Sequence, residues 1–257
     1  MAGVMKFTHG AVENQLKHCN RTLDNDSNTD IDPSRTHLNV SLTETVCSGR
    51  KLPEYDYYLQ RKGELYCYNR ADVKTMAGWI VTAPQELETR EEILSFFKHT
   101  ANFLTDRYGK ENTISITCHF DEGKIGIVKD RWGNVVTDDS GTPLTQLVLG
   151  RPHLHFNFIP VAPDKKHVQK EKICANDVLN PHELQHFHTD LRKYLKDHNC
   201  AGAEGVINGK TKAQGRNYTV AEMKERYELE KELFRLREIE RKYELERTKD
   251  IERGRWK

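Results

Sequence analysis

Thr113-Ile-Ser-Ile-Thr-Cys-His-Phe120 and, after an interruption, His153-Leu-His-Phe-Asn-Phe-Ile159 are the stretches that decide the fold. The first alternates apolar and polar residues with a period of two, the pattern of a strand whose faces meet different surroundings. The second reads as another strand, ended by Pro160 and Pro163, which cannot donate to a ladder. Between them, Lys124 to Thr137 reads as a β-hairpin turning near Trp132-Gly-Asn134, which returns the chain and leaves the two strands adjacent. Outward from this pair, Lys74 to Thr82 with Trp79-Ile-Val81 reads as a strand, Val4 to Thr8 as a short one, and His37-Leu-Asn-Val-Ser-Leu42 as a half-buried one.

Helical periods fill the gaps. Thr89-Arg-Glu-Glu92 is a capping signal, followed by Ile93, Phe96, Phe97, Phe103 and Leu104 at helical spacing up to Gly109. Ala11 to Arg21 reads as a helix or turn carrying His18, and Asn180-Pro181 starts a helix to about Asp197 whose stripe is Leu184, Phe187, Leu191 and Leu195. Asp24 to Arg35 is loop, and Cys47 to Arg70 is ambiguous. The order predicts an α+β fold, an antiparallel sheet with covering helices, plus a C-terminal charged helix. In domain terms, residues 1–200 form the main domain and 201–218 a glycine-rich linker or loop. Residues 219–257 form a charged amphipathic helix and candidate homodimerisation arm, with Leu233, Leu236 and Ile239 in its stripe.

Composition narrows the classes. The chain has 257 residues, 36% hydrophobic and 31% charged, with a formal net charge of +1. No run approaches the roughly 18 apolar residues of a membrane helix, and the N-terminus is too short and polar for a secretory signal. The expectation is a cytoplasmic protein with no membrane partner. Near-neutral charge excludes a surface coated in basic residues, so any nucleic-acid binding must come from a local patch or a metal site. The six cysteines form no CxxC pair, which argues for reduced thiols rather than a zinc ribbon or disulfide framework.

His153 and His155 share one face of their strand, a start on a divalent metal site that wants a third ligand from a neighbouring strand. His119, followed by Asp121-Glu122, stands where it can supply one. A second candidate, His182-Glu-Leu-Gln-His186, spells the zinc-protease signature H-E-x-x-H. Its context is wrong: Pro181 leaves His182 in the first turn, both histidines share the polar face, and Arg192 stands where a third histidine would fall.

His18-Cys-Asn-Arg21 and Asp30-Ile-Asp-Pro-Ser-Arg-Thr-His-Leu-Asn39 resemble the N-terminal motifs of the plasmid mobilisation relaxases of the Mob/Pre (MobV) family. That family's metal motif is matched in two pieces, His119-Phe-Asp-Glu122 and Pro152-His-Leu-His155. Two departures stand out. Cys19 occupies the place of an asparagine, and the metal motif is split. The resemblance implies an HUH endonuclease fold that nicks one DNA strand at an origin of transfer. It implies a Mn²⁺ or Mg²⁺ ion held by His119, His153 and His155, and His18 as the nucleophile. Attack leaves a 5′-phosphohistidine and a free 3′-OH, and nicking rises with pH through roughly 6.5, where imidazole becomes neutral. Arg21 is a candidate to orient the phosphate, and Glu122 a fourth ligand or a hydrogen-bond partner of one. Arg35, Lys210, Lys212 and Arg216 are candidate phosphate grips. The implied partner is single-stranded DNA at the origin, with an adjacent DNA hairpin as a candidate further contact. Two rival readings are a rolling-circle replication initiator using Tyr55, Tyr57 or Tyr58, and a non-catalytic DNA-binding or coiled-coil assembly protein. Cys19 is a weaker nucleophile candidate.

Overall fold

The computed structural model describes residues 2–23, 30–130, 134–138 and 141–207, and beyond them Glu225, Glu228, Leu229, Glu232, Leu233, Arg235, Leu236 and Ile239. In chain order the elements are β1 (Ala2–Thr8), α1 (His9–Cys19), a 3₁₀ helix (Pro33–Leu38), β2 (Val40–Ser41), α2 (Thr43–Val46), α3 (Glu54–Glu64), β3 (Lys74–Thr82) and α4 (Arg90–Tyr108). There follow β4 (Thr113–His119), β5 (Gly123–Ile127), β6 (Thr145–Leu149), β7 (His153–Phe158), β8 (Val161–Pro163), β9 (Glu171–Ile173), α5 (Ala175–Val178) and α6 (Pro181–Asp197). Among the described residues no helix is long and apolar enough to cross a membrane.

Five strands pair antiparallel in the order β1-β3-β7-β4-β2. Alternation along β7 turns its apolar side chains to one face and His153, His155 and Asn157 to the other. Leu154, Phe156 and Phe158 join Trp79, Val81, Ile116 and Cys118 under α4 and α6. On the other face Phe7, Met76 and Ile114 pack against Val12 and Leu16 of α1 and Tyr58 of α3. The bulge between Thr113 and Ser115 changes the parity of β4, so Ile114 and Ile116 serve opposite cores. The sheet and its helices belong to one unit, Met1–Gly123 with Leu149–Gly209; a second comprises Lys124–Val148 and Lys210–Lys257.

The helix ends follow their chemistry. Thr89 accepts from the Glu92 N–H while the Glu92 carboxylate reaches back to the Thr89 N–H, and Gly109 ends α4 at φ +93°, a conformation glycine adopts cheaply. Asn180 caps α6 by accepting from the Glu183 N–H.

Several expectations are corrected. Pro33–Leu38 is a 3₁₀ helix, because Pro33 opens it and Asp32 caps it by accepting from the Ser34 N–H; only Val40–Ser41 of the expected His37–Leu42 strand is extended. The ambiguous stretch before Arg70 contains α3. A turn does close near Asn134, through a Lys129–Val135 bridge, but the regular ladder pairs β5 with β6, farther along the chain. Leu184 is 41% exposed, and the buried stripe of α6 is Phe187, His188, Leu191 and Leu195. Part of the expected glycine-rich linker packs inward: Ala203 and Val206 are buried, and Arg192 holds the Val206 carbonyl. Of the expected C-terminal helix, the eight residues named above are helical, with Leu229, Leu233, Leu236 and Ile239 exposed; the rest lies outside the described residues.

Phe187 is fully buried and stacks on Trp79, ring centroids 3.6 Å apart. Phe187→Ala should therefore cost about 3 kcal/mol or more in denaturant unfolding. Leu184→Ala, three residues away on the same helix, should stay within about 0.5 kcal/mol of the parent. Equal losses would contradict this assignment of the buried face.

Candidate metal centre and active site

The β4–β7 register sets His119 opposite His153 and Thr117 opposite His155. Splitting the motif therefore leaves the three rings together: His119 lies 5.4 Å from His153 and 4.7 Å from His155, and the last two are 4.9 Å apart, centroid to centroid. The last turn of α1 brings His18 edge-on to His119 and His155, at 5.8 and 5.7 Å. Glu122 closes the group. Its Oε1 is 3.0 Å from His119 Nδ1 and 3.4 Å from His18 Nε2, and its Oε2 is 3.2 Å from His153 Nε2. One ligating atom each from His18, His119, Glu122 and His155 lie within 4.8 Å of one another, a set that could hold a metal ion.

A buried acid frames this group. Asp121 is fully buried and takes a bidentate contact from Arg21, Nε to Oδ2 at 3.0 Å and Nη2 to Oδ1 at 2.7 Å. Thr36 Oγ1 and Asn39 Nδ2 also donate to Asp121, at 3.0 and 2.7 Å. Asn39 Oδ1 in turn accepts from the Phe120 N–H. Burial alone would raise the Asp121 carboxyl, but Arg21, Asn39 and Thr36 outweigh it and hold it below its ordinary value. Arg21 adopts φ +55°, unusual for a residue with a side chain, and also donates to the His18 carbonyl and Glu122.

The distribution of protons identifies what this group lacks. His119 Nε2 lies 2.9 Å from the Cys19 carbonyl, which must receive the ring's proton, so Nδ1 turns a lone pair toward Glu122. His153 Nε2 faces Glu122 Oε2 at 3.2 Å, and its Nδ1 lies 3.4 Å from the Arg151 carbonyl. His155 Nε2 is buried with no hydrogen-bond partner. Burial keeps His119 below its ordinary value and His155 well below, with the neighbouring imidazoles adding to the effect on His155. Arg21 Nη2 donates to Glu122 Oε1 at 2.7 Å, which favours the ionised carboxylate. Lone pairs of His119 and His155 and an ionised carboxylate thus lie together. A divalent cation satisfies all of them, so these residues fit one.

Other expected residues fare differently. The Arg21 guanidinium is consumed by protein acceptors rather than turned toward a phosphate, because Asp121, which the sequence reading passed over, captures it. Arg35 donates to the Phe120 carbonyl from the edge of the same group. Lys210, Lys212 and Arg216 lie outside the described residues. Tyr58 is fully buried, donates to Thr75 and has its hydroxyl pushed up to about 12 by burial; Tyr57 donates to the Glu111 carbonyl. Cys19 is buried, its thiol pushed up to about 12 by burial, and its Sγ accepts from Gln15 and Asn157. Asn157 reaches it because position 78 is glycine: a Cβ there would meet Asn157 Oδ1 at 2.6 Å. In the H-E-x-x-H stretch, Arg107 and Tyr108 engage Glu183.

Asp121→Asn leaves the buried Arg21 with a neutral partner and should cost about 3–5 kcal/mol at neutral pH. Because the Asp121 carboxyl is lower in the folded protein, its contribution is present above the unfolded value of about 4 and fades below it. Denaturant melts across pH should show the variant's deficit shrinking below about pH 4; a constant deficit would contradict the assignment.

A sequence model of the family described as "Plasmid recombination enzyme", Mob_Pre, matches residues 1–225. A plasmid recombination enzyme of Streptococcus agalactiae is 26% identical over 87% of this chain and 38% of its own length. One from Lactiplantibacillus plantarum is 27% identical over 80% of this chain and 48% of its own length. The chain thus spans less than half the length of these relatives. The fold is that of the MobM relaxase domain, seen in a Mn-bound crystal structure with plasmid oriT DNA: TM-score 0.60 at 24% identity, covering 88% of this chain and 97% of that one. With the match spanning residues 1–225, the chain belongs to the Mob_Pre family of plasmid recombination enzymes.

Proposed function

We propose that this chain nicks one strand of DNA at an origin of transfer, with His18 as the nucleophile. The observation that carries the reading is the convergence of His119, His153 and His155 around Glu122, with His18 edge-on beside them. His119, His153 and His155 would hold the cation, Mn²⁺ or Mg²⁺. When bound, such an ion polarises the scissile phosphate and neutralises charge that builds in the transition state.

The remaining steps belong to the chain. Glu122 Oε1, 3.4 Å from His18 Nε2, can hold that nitrogen's proton and leave the Nδ1 lone pair free. Nδ1 attacks the phosphorus, the P–O3′ bond breaks, and the departing 3′ oxygen takes a proton from solvent. The ring is left bonded to the 5′-phosphate, and the Glu122 charge offsets the positive charge it gains. Reversal by the 3′-OH reseals the strand. Arg21 acts as a positioning residue: it holds the His18 carbonyl and Glu122 in one frame. The buried, high-pKa Cys19 and the enclosed Tyr58 support histidine over either rival nucleophile.

On a supercoiled plasmid carrying a cognate origin, EDTA should stop nicking and Mn²⁺ should restore it. His18→Ala should lower nicking by on the order of 10³-fold or more while leaving origin binding intact. Nicking retained by that variant would remove His18 from the mechanism, and nicking in EDTA would remove the cation.

A further inference from the structure

At the end of β7 away from the histidines, the β8–β9 hairpin turns through Asp164-Lys-Lys-His-Val-Gln-Lys170. Val161, the first residue of β8, follows His155 by six residues, with Ile159 and Pro160 between the two strands. The turn is tightly fixed. Asp164 accepts from the Lys166 N–H at 2.9 Å and pairs with His167 Nδ1, and its own N–H donates to the Lys170 carbonyl at 2.7 Å. The His167 ring lies flat on Tyr66, centroids 3.4 Å apart at 10°, and Tyr68 meets Tyr66 edge-on at 5.2 Å. Tyr66 is itself tied to β9 through backbone hydrogen bonds with Glu171 and Ile173.

This rigid turn presents a charged, aromatic surface. Tyr68 is 51% exposed, and Lys165, Lys166 and Lys170 are exposed. Lys170 sits at φ +56°, a conformation costly for any residue with a side chain. Nearby acids are engaged elsewhere: Glu171 with Arg61, Asp177 with Lys172, Asp164 with His167. Among the described residues, none of the three exposed lysines has an ion-pair partner. Aromatic rings interleaved with uncompensated cations fit a polyanion with stackable bases.

We propose that Tyr66, Tyr68 and His167 with Lys165, Lys166 and Lys170 form a second binding site for single-stranded DNA, remote from the imidazole group. It extends the nuclease reading, on which it rests for the identity of the strand, to the path that strand takes. Stacking on the rings and phosphate contacts from the lysines hold a segment away from the point of cleavage.

The test is fluorescence anisotropy of the full chain with a labelled oligo-dT of about 30 nucleotides, long enough for several stacked bases, across a salt series. Combining Lys165→Gln, Lys166→Gln and Lys170→Gln should lower the slope of log affinity against log salt by about two, from roughly 0.7 per phosphate contact. Tyr68→Ala should weaken binding about 5- to 100-fold with the slope unchanged. Parental melting temperatures and Mn²⁺-induced stabilisation in both variants would show that fold and metal centre are intact. Unchanged oligo-dT binding in both would overturn the proposal. So would loss confined to binding of phosphatidylglycerol vesicles, which would mark a lipid surface. If the parent chain cleaves no DNA yet the variants still lose oligo-dT, the nuclease reading falls and this site stands.

Discussion

The bidentate contact between Arg21 and the buried Asp121 is the constraint on which the rest of the site depends. Asp121 sits just past the end of β4, Arg21 just past the end of α1, and Thr36 and Asn39 come from the 3₁₀ helix and the residue after it. One carboxylate thus ties the end of α1 and the 3₁₀ segment to the end of β4. A charged acid with no exposure persists only because every side of it is answered by a donor. The neighbouring residue, Glu122, is thereby held among the imidazoles, and the His18 carbonyl is pinned by the same guanidinium.

Chemistry follows from that geometry. The Cys19 backbone carbonyl fixes the proton position on His119, so its free nitrogen points inward. His155 adds a buried nitrogen with nothing to bind. Such a group is poorly stabilised by protein contacts alone and preorganised for a cation. His18 is the ring least enclosed by it, its side chain 26% exposed beside a fully enclosed His119, which suits the role proposed for it.

How much of this was legible in the sequence depends on the range of the interaction. The two-residue period made His153 and His155 face together, and antiparallel return made His119 their neighbour; both are local rules that the long interruption does not disturb. The α4 cap and the α6 start were equally plain, since Thr89 with Glu92 and Asn180 with Pro181 act within one turn. Asp121 was visible beside Glu122, but its partners lie 82 to 100 residues away in sequence, and no periodicity encodes such a contact. Alternation misread His37–Leu42 because His37 and Leu38 belong to the 3₁₀ helix that Pro33 opens, which leaves only Val40–Ser41 in the ladder. Arg21 was singled out beside His18, and its guanidinium meets an internal acid.

The resemblance assigns the cation to His119, His153 and His155, whereas a set of ligating atoms all within 4.8 Å of one another includes His18 and Glu122 and omits His153. The two arrangements differ in whether His18 is free to attack. Anomalous diffraction at the manganese edge from crystals grown with Mn²⁺ separates them. The account predicts one peak at coordination distance from His119, His153 and His155, with His18 outside its ligand shell. A peak that takes His18 as a ligand, or none among these rings, would contradict it.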